Sequence, residues 1–95
     1  MIEYRLGYYA ESLRGHDKGR IYMIISEEGD RVGLCDGIHR GPENPKMKKK
    51  KHIQMIRREE SADSFQTLIS SPEAGRQIRE EIETFIKERK ESRRM

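Results

Sequence analysis

A chain of 95 residues, 33% hydrophobic and 39% charged, has room for one small domain and an appendage. A domain of this size buries only a modest core, and a buried catalytic pocket would consume much of it, so composition leans toward a binding module and away from an enzyme. The net charge of +3 is unevenly spread: residues 1–58 hold 13 Lys and Arg against 8 Asp and Glu, and residues 59–95 hold 7 against 9, so a polyanionic partner is expected for the first part only.

In chain order, Leu6 to Leu13 reads as a first strand with Tyr8, Ala10 and Ser12 on one face. Tyr4 precedes it and carries no signal. Arg14-Gly15-His16-Asp17-Lys18-Gly19 is a turn, since Asp favours turns and glycine takes positive φ without strain. Arg20 to Ile25 is the strongest strand signal, β-branched and aromatic, with Ile21, Met23 and Ile25 on one face. Glu28-Gly29-Asp30 connects it to a third strand, Arg31 to Cys35, with Val32 and Leu34 inward. Asp36-Gly37 reads as a tight hairpin leading to a short fourth strand around Ile38-His39. Gly41 to Pro45 is a loop because its prolines disfavour regular structure, and the lysine run after it reads as an extension of that loop. His52 to Ile56 is the last strand. The pattern predicts a small, mainly β domain over residues 1–58, an SH3-like barrel of about five strands, with a helical extension over residues 59–95.

In that extension Ser71 is an N-cap with Pro72 at the first helical position, and Ile78, Ile82, Phe85 and Ile86 form one apolar stripe. Glutamates lead and Lys87, Arg89, Lys90, Arg93 and Arg94 follow, in keeping with the helix dipole. Gly75 weakens the first turn. A shorter helical piece holds Phe65, Leu68 and Ile69, capped at Ser61 or Asp63. The stripe is expected to pack across the barrel, with a partner protein or self-association as alternatives.

The turn Gly15-His16-Asp17-Lys18-Gly19-Arg20, followed by the alternating strand Ile21 to Ile25, resembles the KOW motif of ribosomal proteins and transcription elongation factors. The resemblance extends through Val32 to Gly37 and through Pro45 and the lysine run to His52-Ile53, covering about residues 6–56. Ile21 stands where many ribosomal KOW segments carry another glycine, which favours the eukaryotic-type large-subunit group and its bacterial relatives. The resemblance implies a non-catalytic RNA-binding barrel, associated with the ribosome and cytoplasmic, that contacts RNA through this turn and neighbouring loops. A protein-interaction module bound to ribosomal or transcription proteins is the alternative.

The residues themselves agree with RNA contact. Arg14, Lys18 and Arg20 surround the turn made by Gly15, Asp17 and Gly19, and His16 adds a ring that can stack. Lys46, Lys48, Lys49, Lys50 and Lys51 repel one another and suit phosphates with little sequence readout, unless they only form a solvated loop. His39 and Arg40 are expected to border the same surface. Tyr8, Tyr9 and Tyr22 would stack on bases if exposed, and at least one of Tyr8 and Tyr9 must face outward by alternation, whereas Tyr22 is expected in the core.

No cofactor or metal is expected, since one cysteine, Cys35, and scattered His16, His39 and His52 do not make a tetrahedral site. Cys35 alone excludes an internal disulfide. No apolar run nears the roughly 18 residues of a membrane span, and no signal peptide is expected at the N-terminus.

Overall fold

The computed structural model describes residues 5–58 and 62–93. Five strands, β1 (Tyr9–Ser12), β2 (Ile21–Glu28), β3 (Arg31–Cys35), β4 (Lys46–Lys49) and β5 (Ile53–Ile56), form one antiparallel sheet in the order β4-β3-β2-β1-β5. Two helices follow, α1 (Ala62–Ser70) and α2 (Ala74–Arg93). The expected cap at Ser61 or Asp63, the side chains of Arg93 and Arg94, and Tyr4 lie outside the described residues and side chains. Among the described residues no helix is long and apolar enough to cross a membrane.

The edge strands β4 and β5 are separated in the chain only by a 3-10 turn, Lys50–His52. From Lys49 to Ile53 the backbone can reach about 14 Å, whereas the outer strands of a flat five-stranded sheet lie about 19 Å apart. The sheet therefore curls. Its inner face holds Ala10, Tyr22, Ile24, Val32, Leu34 and Ile53, with Tyr8 and Met55 packed against them. Its outer face presents Tyr9, Ile21, Met23 and Cys35 to the helices, which supply Phe65, Leu68, Ile78 and Ile82. Strand alternation and helical spacing thus produce one apolar cluster shared by both parts of the chain. Tyr9 stacks on Phe85 with ring centroids 4.4 Å apart.

The expected faces are present: Tyr8, Ala10 and Ser12 on one side of the first strand, Ile21 and Met23 on the outer side of β2, and Val32 and Leu34 inside. Four local expectations are corrected. The first strand starts at Tyr9, because Gly7 turns the chain at φ +93° ahead of it. No strand forms at Ile38-His39. One oxygen of Asp36 accepts the backbone N–H groups of Ile38, His39 and Arg40, each at 2.9 Å, and this bends the chain into a loop. Gly37 is needed there: it sits at φ +75°, and a Cβ would lie 2.1 Å from the Gly75 carbonyl oxygen. The fourth strand is the lysine run itself, paired with β3 so that Arg31 faces Lys49, Val32 faces Lys48 and Leu34 faces Lys46. In the extension, Ser71 Oγ accepts the Glu73 N–H at 3.1 Å as a cap should, but α2 begins only at Ala74, after a turn that takes in Pro72.

Candidate nucleic-acid interface

Making the lysine run a strand divides it by parity. Lys46 and Lys48 share a face with Leu34 and Val32, and they point to the turn between β1 and β2. There Lys48 Nζ donates to Asp17 Oδ1 at 2.6 Å, Ser12 Oγ at 2.7 Å and the Arg14 carbonyl at 2.7 Å. These contacts use all three ammonium protons. Lys46 Nζ lies 3.0 Å from Asp17 Oδ2, and the Tyr22 hydroxyl donates to the same oxygen at 2.9 Å. Asp17 is 5% exposed.

Burial alone would raise the Asp17 carboxyl, but hydrogen bonds from Lys48, Lys46, Ser12 and Tyr22 outweigh it and hold the group well below the usual carboxylate range. The same arrangement pushes the Tyr22 hydroxyl up to about 12, through burial first and then its bond to the Asp17 carboxylate. Tyr22 is therefore a core residue with a polar tip, and Tyr9 is buried against Phe85, so neither offers a ring to a base. Tyr8 is half-buried against the inner cluster.

Two members of the expected cationic set are thus committed to a carboxylate, and a third, Lys50, pairs with Glu27. The others stay available. Arg14, His16, Lys18 and Lys51 are exposed and Lys49 is half-buried, and none of the five makes an ion pair among the described residues. The Leu13 N–H donates to the His52 carbonyl at 2.9 Å, which brings the motif turn against the 3-10 turn. His52, which the sequence reading left out of the binding set, marks the centre of the resulting charge. Partial desolvation and then Arg14, Lys51, Lys49 and Lys48 hold its imidazole below the ordinary value. Desolvation comes first among these causes, and the neighbouring cations act in the same direction.

Among the described residues, no hydrogen bond or ion pair joins His39 or Arg40 to this cluster. His39 Nδ1 lies 3.2 Å from Arg20 Nη1 and 3.3 Å from Asp36 Oδ2, and Arg40 gives its backbone N–H and carbonyl to the Asp36 loop. Arg20, His39, Ile21, Ile38, Arg79 and Ile82 line a separate cavity of about 320 Å³ against α2. The motif residues are therefore split: the start of the turn faces the lysine strand, and its end, at Arg20, faces the Asp36 loop. Gly15 and Gly19, both at φ +91°, supply the two left-handed positions that close the turn. Cys35 is buried and free, and its thiol is pushed up to about 11 by burial. No group of three or more His, Cys, Asp or Glu able to hold a metal occurs among the described residues.

No family model matches this chain, and no curated protein matches it.

Proposed function

We propose that this protein is a non-catalytic RNA-binding module of the KOW kind, a small SH3-like barrel that grips RNA phosphates and works at the ribosome in the cytoplasm. Closure of the sheet into a barrel is supported by the 3-10 turn that joins its two edge strands and by the reach of Lys48 from β4 to Ser12 on β1. The ribosomal assignment rests on the resemblance of Gly15 to Arg20, and of the segments after it, to eukaryotic-type large-subunit KOW proteins.

The observation that carries RNA binding is that the Leu13 N–H bond to the His52 carbonyl sets the turn bearing Arg14 against the 3-10 turn that Lys49 precedes and Lys51 occupies, and that none of these three cations makes an ion pair among the described residues. Cations gathered on one surface repel one another, and a phosphate backbone relieves that repulsion while releasing its own counterions. Lysine, a point charge without a planar fork, gives a grip with little base readout.

A salt series tests it. For a stem-loop RNA, a grip through three phosphates predicts a slope of log K against log salt of about −2 to −3. The Lys49→Gln/Lys51→Gln variant should bind more weakly and with a shallower slope. Unchanged affinity and slope in that variant would remove the proposal.

A further inference from the structure

We infer that Asp17, clamped by Lys46 and Lys48, is a positioning residue for the phosphate-binding surface rather than a contact to RNA. The inference rests on the RNA-binding reading. Asp17 is the one buried side chain between Leu13 and Arg20. Everything else there is exposed, including the Arg14, His16 and Lys18 side chains that would meet a phosphate. The loop is fastened to the sheet through this carboxylate, with Lys46 and Lys48 from β4, Ser12 from β1 and Tyr22 from β2 converging on its two oxygens. Lys48 also holds the Arg14 carbonyl at 2.7 Å, so the backbone carrying the Arg14 guanidinium is fixed by the same ammonium. With a side chain only 10% exposed and its three protons already donated, Lys48 has nothing left for a phosphate. Alternate lysines of one strand thus have different jobs: Lys46 and Lys48 set the loop, and Lys49, on the opposite face, meets the ligand.

This assignment opposes simple electrostatics in sign. Replacing Asp17 with Asn removes a negative charge from beside a cationic surface, which by itself strengthens attraction to a polyanion. If Asp17 positions the loop, the same change weakens binding.

The full-length protein, Asp17→Asn, Lys48→Met and the double variant are titrated with a stem-loop RNA across a salt series, below the unfolding temperature of each. The double variant removes both buried charges together and so covers the case in which Asp17→Asn does not fold. The expected result is a loss of about tenfold for each single variant, a double variant no weaker than either single one, and a salt slope shallower by about one phosphate as Arg14 leaves its place. Tighter binding by Asp17→Asn overturns the inference, as does a Lys48→Met loss that is the same in both backgrounds, since that would make Lys48 a direct contact. Amide exchange is measured on the same samples. The N–H groups of Lys18, Gly19 and Arg20, which bond to Gly15, Ser12 and Asp17 carbonyls, should exchange faster while those of β3 do not change. Unaltered loop exchange also overturns the inference. If the unsubstituted protein fails to bind RNA at all, the functional reading falls, and the exchange arm alone decides whether Asp17 holds the loop.

Discussion

The sheet end that carries the lysines and the outer surface of α2 are both densely charged, yet they handle charge in opposite ways. On α2 the ions neutralise one another along the helix: Arg76 bonds Glu73 and Glu80 at the spacings that bring helical neighbours together, and Arg89 reaches Glu11 while lying over the Phe85 ring. Arg58, 5% exposed, is held by both oxygens of Glu81. At the sheet end, Asp17 takes two lysines at once, Glu27 takes another, and Arg14, Lys49 and Lys51 make no ion pair among the described residues. Charge content would not separate these regions. The distinction lies in how the unpaired cations are grouped: among the described residues Arg79, Lys87 and Lys90 also make no ion pair, but they are spread along a helix that carries Glu83, Glu88 and Glu91 between and beside them, whereas Arg14, Lys49 and Lys51 come from two turns and a strand end that meet.

The strongest way to break this comparison is to remove the carboxylate that organises the sheet end. Asp17→Ala leaves Lys48 buried without its counter-ion and should cost about 3 to 5 kcal/mol, measured as the shift in a urea midpoint. A cost below about 1 kcal/mol, the value of a surface pair, would place Asp17 on the same footing as the helix ions.

A second effect sharpens the contrast through pH. The Tyr22 hydroxyl is raised from 10.0 in the unfolded chain to about 12 in the fold, so the folded state holds its proton more tightly. Its contribution is fully present below pH 10 and is lost as pH rises toward 12. Asp17 behaves in the opposite sense: its carboxyl is lowered from 3.8, so its contribution is present above that value and declines as pH falls below it. Stability followed by circular dichroism should therefore decline between pH 10 and pH 12, and Tyr22→Phe should flatten that decline. An equal alkaline decline in Tyr22→Phe would detach the tyrosine from the network.

The smallest effect belongs to the helix. Arg76→Ala removes two exposed ion pairs and should leave the urea midpoint nearly unchanged, with no effect on RNA affinity. A larger loss would show that pairing on α2 has a role beyond local neutralisation.

Much of this architecture is readable from local pattern. The alternation of Ile21, Met23 and Ile25, the inward Val32 and Leu34, and the spacing of Ile78, Ile82, Phe85 and Ile86 each reveal a face, because strand and helix periods act on adjacent residues. The errors lie where a distant partner decides. Ile38-His39 looks extended until the Asp36 carboxylate collects three successive N–H groups. The lysine run looks like a solvated loop until β3 supplies its register, and that register separates Lys48 from Lys49. Asp17 reads as an ordinary turn aspartate; its burial follows from lysines about 30 residues further along the chain, which no local pattern reveals. At His52 the fold adds less: Lys48, Lys49 and Lys51 are its neighbours in the chain, and only Arg14 is brought to it from elsewhere.

The most direct test of the central claim is to make the same charge change in both regions. Lys49→Gln/Lys51→Gln and Lys87→Gln/Lys90→Gln each remove two cations, the second pair from exposed positions on α2. Measured side by side against one stem-loop RNA in moderate salt, the sheet-end variant should lose about tenfold or more in affinity and the helix variant less than about twofold. Equal losses would mean that RNA responds to total charge, and that the grouping of cations at the sheet end has no special part in binding.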